Sequence, residues 1–96
     1  MTRKEILRTA ESYVTKDRAD THGGMEDNFS TIAKYWTTHL GHKVTPVDVG
    51  VMMTLLKVAR IKSGTQNIDN YVDGAGYLAC SGELSTRGQI SGSDNT

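Results

Sequence analysis

The sequence predicts an all-α protein, built as a compact four-helix bundle-like domain. Apolar residues recur at helical spacing in four successive stretches, whereas no stretch alternates apolar and polar residues as a half-buried strand does. The chain has one proline, Pro46, which stands where a helix can begin. Its 96 residues are enough for one domain with a modest core. We expect the helical domain over residues 1–84, with its last helix closed by Gly82-Glu83, and a flexible polar tail over residues 85–96.

The composition restricts the class of partner. The 11 basic and 11 acidic residues give a formal net charge of zero, which argues against a protein that binds nucleic acid polymers. The single cysteine, Cys80, has no partner for an internal disulfide, and this favours a reducing cytoplasm. No apolar run is long enough to span a membrane, and the first residues do not resemble the apolar core of a signal peptide. We therefore expect a cytoplasmic protein with no membrane contact.

The first helix is predicted to begin after Thr2, because Glu5 follows three residues later in the spacing of a capping box. The polar segment 16–28 that comes after this helix is longer than the usual connection of about 4–6 residues. It contains Arg18, whose planar set of donors could grip a phosphate. It also contains His22, which could be a base, a hydrogen-bond partner or a solvated side chain.

The second helix has the clearest periodic pattern in the chain. We expect Asp27 or Asn28 to cap it and Gly41 to end it. Trp36 lies on the apolar stripe, which favours core packing over stacking on a base, whereas Tyr35 lies off the stripe. The apolar stripe consists of Phe29, Ile32, Ala33, Trp36 and Leu40.

The third helix is predicted to begin at Thr45 and Pro46, with Asp48 facing the positive end of the helix dipole. Its apolar residues spread over more than one narrow stripe, which predicts a central helix that is buried on two sides. So many apolar residues in so small a domain also suggest a homo-oligomer, at least a dimer. These apolar residues are Val47, Val51, Met52, Leu55, Leu56, Val58 and Ala59.

A mixed-charge cluster is predicted where the third and fourth helices meet. Lys57 and Arg60 share a face near the end of the third helix, and Asp69 and Asp73 share a face near the start of the fourth. A short connection makes the two helices antiparallel neighbours, so cations and carboxylates should meet. The cluster is either a ligand site or a structural salt-bridge network, and the residue pattern leaves both interpretations open.

Three further residues bear on this cluster. Gly74 and Gly76 inside a helix each cost about 1 kcal/mol relative to alanine, which calls for close helix packing or close approach of a ligand. Tyr77 is one turn beyond the second aspartate, so its hydroxyl can reach the same polar end. We predict ligand-binding roles, with no catalytic residue, cofactor or metal ligand, for Arg18, His22, Asn28, Lys57, Arg60, Asp69, Asn70, Asp73 and Tyr77.

Several motifs in this order resemble a family of small phage and prophage proteins of unassigned function. The match covers about residues 16–84. More remotely, a helix pair that ends in an aspartate-rich segment is similar to the all-α nucleoside triphosphate pyrophosphohydrolases of the MazG type. The motifs are Gly24-x-x-x-Asn28-Phe29, Ile32-Ala33-x-x-Trp36, Thr45-x-x-Asp48-Val49, Met52-Met53-x-Leu55-Leu56-Lys57-x-Ala59-Arg60 and Asp69-Asn70-x-x-Asp73-x-x-Gly76-Tyr77.

The departure from the MazG pattern favours binding over catalysis. Those enzymes hold magnesium with glutamates on one helix that face an acidic pair on the next, whereas here the third helix has Asp48 at its start and then no carboxylate. The cations of the cluster suit a phosphate and its carboxylates suit ribose hydroxyls or base amines, so we expect a small nucleotide as the ligand. The resemblance to phage proteins suggests a use in the bacterial host cytoplasm, as a sponge that sequesters a nucleotide immune signal without destroying it. The alternatives are a divergent MazG-like nucleotide pyrophosphohydrolase and a protein–protein adaptor without a ligand.

Overall fold

Four α-helices make up the fold in the computed structural model, which describes residues 1–17, 24–64 and 67–87. They are α1 (Arg3–Ser12), α2 (Met25–Leu40), α3 (Pro46–Lys62) and α4 (Ile68–Arg87). A π-helical turn, Tyr13–Asp17, continues α1. No strand occurs in these three ranges, so the predicted all-α class is confirmed.

Capping boxes begin both α1 and α3. The box at α1 and the start of α3 at Thr45 and Pro46 were predicted, whereas the capping role of the Asp48 side chain was not. The Thr2 hydroxyl accepts a hydrogen bond from the Glu5 backbone N–H at 3.2 Å, and the Glu5 carboxylate accepts one from the Thr2 N–H at 2.7 Å. Thr45 and Asp48 repeat this exchange at 3.1 and 3.0 Å, with Pro46 in the first helical position. Both boxes satisfy amide groups that a helix start would otherwise leave without a partner.

The start of α2 differs from the prediction. Gly24 is the N-cap and the helix begins at Met25, so the expected cap at Asp27 or Asn28 is wrong. Acidic residues in the first turn face the positive end of the helix dipole, and this stabilises the start although no side chain caps it. The predicted end is confirmed: Gly41 has a φ of 68° and donates its N–H to the Thr37 carbonyl at 2.9 Å.

The fourth helix runs past its expected end at Gly82-Glu83 and continues to Arg87. Gly82 does not end the helix, because Leu84 packs against the core and holds the following turn in place. Arg87 forms ion pairs with Glu83 and with Glu26 of α2. Residues 88–96 of the expected tail lie outside the described residues.

A close antiparallel contact joins α3 and α4, as predicted, and we call it the α3–α4 seam. At one end Ser81 donates its hydroxyl to the Val47 carbonyl at 2.8 Å, and a Cβ placed on Gly50 would lie 2.5 Å from the Ser81 Cβ. At the other end the Lys57 ammonium lies 3.1 Å from the Asp73 carboxylate. The backbones can approach this closely because one position at the seam has no side chain.

The core lies between α2, α3 and α4. Its buried residues are Phe29, Ala33, Val44, Val49 and Cys80, and Trp36 packs against them, as predicted. Helix α4 contacts α1, the π-helical turn and α3, and helix α3 contacts α2 and α4. None of the helices in the described ranges is long and apolar enough to cross a membrane.

The expected burial of α3 on two sides is wrong within one chain. Only Val49 and Gly50 are buried in this helix. Since α2 and α4 cover the inner part of its surface, most of its apolar residues remain exposed on the outer part. These exposed residues are Val51, Met52, Leu55, Leu56 and Val58.

Candidate functional site

A pocket of about 390 Å³ lies between the end of α1, the π-helical turn, α2 and α4. Its volume is at the small end of the range of roughly 300–1,000 Å³ that is usual for small-molecule sites. Helix α3 contributes no lining residue. The lining residues are Ala10, Tyr13, Val14, Met25, Asn28, Phe29, Thr31, Ile32, Val72, Asp73, Gly76, Tyr77 and Cys80.

The walls of the pocket are mainly apolar and aromatic. Phe29 of α2 and Tyr77 of α4 place their ring centroids 6.4 Å apart with an angle of 36° between the ring planes. Tyr13 adds a third ring from the π-helical turn. Buried residues such as Phe29 and Val72 form the inner part of the pocket, whereas Thr31 is exposed. Walls of this kind suit a flat, partly apolar ring system.

A few polar groups interrupt these walls. Asn28 of α2 and Asp73 of α4, which carry an amide and a carboxylate, are among the lining residues. The Lys57 ammonium of α3 lies 3.1 Å from the Asp73 carboxylate, and Lys57 is not a lining residue. The side chains of Lys57 and Asp73 are 12% and 17% exposed, so solvent screens this ion pair less than a surface pair. The pair fixes the carboxylate and balances its charge.

Small residues let the π-helical turn approach α4. A Cβ placed on Gly76 would lie 3.0 Å from a Val14 methyl group, so glycine permits this contact. Of the two expected reasons for a glycine here, close packing or close approach of a ligand, the structure shows close packing at Gly76. At Gly74 the added Cβ would lie 3.7 Å from the Lys57 Cβ, which is an ordinary contact distance.

The structure brings together four of the predicted site residues. Asn28, Asp73 and Tyr77 line the pocket, and Lys57 pairs with Asp73. The prediction that a cation of the third helix meets a carboxylate of the fourth is therefore confirmed for this pair.

The other predicted residues lie elsewhere. Arg60 and Asp69 are exposed, and neither takes part in an ion pair within the described ranges. Asn70 is 4% exposed and does not line the pocket. Arg18 and His22 belong to the connection between the π-helical turn and α2 and lie outside the described residues.

Sequence reasoning missed most of the pocket lining. Tyr13 and Phe29 stand on apolar helical stripes, and the pattern does not separate a stripe residue that fills the core from one that lines a cavity. A usable signal is that each of these aromatic residues directly follows a polar one: Tyr13 follows Ser12, and Phe29 follows Asn28.

Groups of three or more histidine, cysteine, aspartate or glutamate side chains that could hold a metal ion are absent from the described part of the chain. The carboxylate of Asp73 faces an ammonium group. A magnesium site of the MazG kind would place further carboxylates there, because magnesium requires several oxygen ligands in octahedral array.

Comparison with known proteins gives a family and two phage relatives. A family model described as a domain of unknown function, DUF6378, matches residues 5–85. The Gene 55 protein of Mycobacterium phage L5 is 42% identical over 73 residues, which are 75% of this chain and 47% of that protein. The Gene 55 protein of Mycobacterium phage D29 is 31% identical over 77 residues, which are 80% of this chain and 51% of that protein.

The chain thus spans about half the length of the curated relatives it matches. No solved structure gives a significant match. The predicted resemblance to small phage proteins of unassigned function is confirmed, whereas the similarity to enzymes of the MazG type stays a prediction.

Proposed function

Because the chain belongs to the DUF6378 family, described as a domain of unknown function, and is similar to two phage proteins, we propose a function from the pocket itself. The protein binds a small nucleotide there and does not convert it. The observation that supports this proposal is the pocket of about 390 Å³ with aromatic walls, in which an amide and a carboxylate are the polar groups best placed to read a base.

The chemistry of the lining matches a nucleobase or nucleoside better than a phosphate. The rings of Phe29, Tyr77 and Tyr13 offer apolar surface for a base. The Asp73 carboxylate accepts hydrogen bonds from amines or ribose hydroxyls, and the Asn28 amide both donates and accepts.

The phosphate would lie outside the pocket interior in this arrangement. Among the lining residues in the described ranges, Asp73 is the one with a charged side chain. The ammonium of its partner Lys57 balances this charge. The pocket interior therefore offers a phosphate no excess of positive charge. Arg18, in the connection between two elements that line the pocket, remains a predicted phosphate ligand.

In its biological use, the protein acts as a sponge that sequesters a nucleotide immune signal of the bacterial host. Two observations favour binding without conversion. Helix α3 has a single carboxylate, that of Asp48 in its first turn. The Asp73 carboxylate faces the Lys57 ammonium and not a second acidic group. Because the two relatives are phage proteins, a signalling nucleotide of the bacterial host is a suitable ligand.

The test is a panel of mononucleotides and cyclic nucleotides, measured by calorimetry with the full chain in the presence of magnesium or of EDTA. The protein is then denatured and the ligand is analysed by chromatography. We expect at least one nucleotide to bind equally well in both buffers and to be recovered intact. Recovery of hydrolysis products that requires magnesium would support the pyrophosphohydrolase instead. Absence of binding by every nucleotide would support the adaptor.

The first prediction locates the site. Asp73→Asn should weaken binding of the nucleotide by about 1.5–3 kcal/mol, the range for a hydrogen bond to a charged group. The matched control is Asp69→Asn, which makes the same change one turn earlier at an exposed position and should leave the affinity unchanged. Tyr77→Phe, with the exposed Tyr71→Phe as its control, tests the pocket without altering charge. Equal affinities for Asp73→Asn and Asp69→Asn would place the ligand elsewhere.

A further inference from the structure

The outer surface of α3 carries an exposed apolar stripe, which we call the α3 face. Leu55 at its centre is 60% exposed, and the residues around it are 39–45% exposed. They recur at spacings of three and four, so they share one side of the helix. The α3 face consists of Val51, Met52, Leu55, Leu56 and Val58.

Opposite charges stand at the two ends of this stripe. Asp48 lies two turns before Leu55 and Lys62 lies two turns after it, so the three residues share the same side of the helix. Both charged residues are exposed, and neither forms an ion pair within the described ranges. The Asp48 carboxylate also accepts a hydrogen bond from the Thr45 N–H. It can bind a second partner at the same time, because a carboxylate has several acceptor sites.

We propose that the α3 face is the interface of a homodimer in which α3 packs antiparallel against α3 of a second copy. The two-fold axis passes near Leu55. This register places Asp48 opposite Lys62 of the partner subunit, and by symmetry Lys62 opposite Asp48 of the partner subunit. It also places Met52 opposite Val58 of the partner subunit, so that apolar residues meet along the stripe.

The self-complementary arrangement is what selects a second copy as the occupant. A two-fold interface requires each residue of the surface to find its partner on the same surface, and the positions 48, 55 and 62 meet this requirement. A parallel pair would instead place Asp48 against the same carboxylate of its partner, and like charges at that distance repel. Helices that pair side by side in coiled coils also carry their apolar residues at alternating spacings of three and four.

This dimer is independent of the proposed nucleotide binding. Helix α3 contributes no residue to the pocket lining, so the register leaves the pocket of each subunit uncovered by the interface helix. A dimer without nucleotide binding, and nucleotide binding without a dimer, are therefore distinguishable results.

The first test is the mass of the full chain by sedimentation across a concentration series. We expect two chains per particle for the wild type and one for Leu55→Asp, with unchanged helical circular dichroism, because Leu55 makes little contact within its own chain. Tyr35→Asp is the matched control, since Tyr35 is 70% exposed on α2, and it should remain dimeric. A wild-type monomer at every concentration up to millimolar, or a dimer that persists in Leu55→Asp, would overturn the proposal.

The second test addresses the register. Lys62→Glu should raise the dissociation constant of the dimer roughly 2- to 30-fold, since two exposed ion pairs are lost by symmetry. Lys34→Glu makes the same charge change at an exposed position of α2 and should have no effect. Leu55→Cys should form a disulfide-linked dimer on mild oxidation, whereas the wild type, whose Cys80 is buried, should not. Equal dissociation constants for Lys62→Glu and Lys34→Glu would exclude the antiparallel register.

Discussion

The two sides of α4 differ in how completely they are filled. Toward α3 the backbones come so close that Gly50 has no room for a side chain, and a hydrogen bond and an ion pair fix the two ends of the seam. Toward α1 and α2 the same helix leaves a pocket of about 390 Å³. Small residues occur on both sides, as Ser81 and Gly76 show. A small residue on α4 therefore closes the gap to a neighbouring helix only where the backbone of that helix can also come close.

The largest effect should come from filling the seam. Gly50→Ala places a Cβ 2.5 Å from the Ser81 Cβ and 3.1 Å from the Tyr77 carbonyl oxygen, so the helices must separate. We expect a loss of about 2–3 kcal/mol in the free energy of unfolding, as is usual for an overpacked core, measured by urea denaturation. Ser81→Gly in the same chain should restore part of it.

The matched control for this prediction is Gly82→Ala, next to the seam on α4. A Cβ there has no neighbouring atom within 4 Å, so the substitution should stabilise the helix by up to about 1 kcal/mol. If both substitutions shift the unfolding free energy in the same direction, the close approach at Gly50 is not what holds α3 against α4.

A smaller effect is expected at the boundary between seam and pocket. Lys57→Met keeps the length of the side chain but leaves the Asp73 carboxylate without its ammonium partner, which should cost about 1–2 kcal/mol because the pair is mostly buried. The exposed Lys34→Met on α2 should stay within about 0.5 kcal/mol of the parent. A double-mutant cycle with Asp73→Asn measures the coupling, and a coupling of zero would show that the pair is not a stabilising contact.

The smallest effect is expected at the start of α1, the helix whose later residue Ala10 lines the pocket. The backbone hydrogen bond from Thr2, followed by that from its hydroxyl, holds the pKa of Glu5 below its usual value. A carboxylate with a lowered pKa contributes stability above its ordinary pKa, and this contribution is lost as the pH falls through the folded-state pKa. An NMR titration of the Glu5 carboxyl carbon should give a lower midpoint in the folded chain than in the same chain unfolded in urea. Coincident midpoints would show that the capping box does not form in solution.

Features set by a few neighbouring residues could be predicted from the sequence. Thr45 with Pro46 and Asp48 begins a helix by local hydrogen bonds, and Gly41 ends one because it accepts a left-handed conformation. The meeting of Lys57 and Asp73 also followed from the short connection between two helices. In each case the physical cause lies within the segment or at the adjacent turn.

Features set by distant parts of the chain could not be predicted in the same way. The apolar residues of α3 indicate a surface that needs covering, but their pattern does not say whether the cover is in the same chain, which is why Leu55 was expected inside. Gly82 was expected to end α4, yet Leu84 holds the next turn on the core. The cavity depends on how α1, α2 and α4 pack together, and no local pattern records that.

The antiparallel seam also has a consequence for the order of folding. Its contacts join consecutive helices, as between Val47 and Ser81, which are 34 residues apart. The pocket instead needs contacts from Val14 to Gly76, which close a longer loop and cost more chain entropy. We therefore expect the transition state to contain the α3–α4 hairpin, with the pocket assembled last. Substitutions at Gly50 would then slow refolding, whereas substitutions at Val14 would mainly speed unfolding.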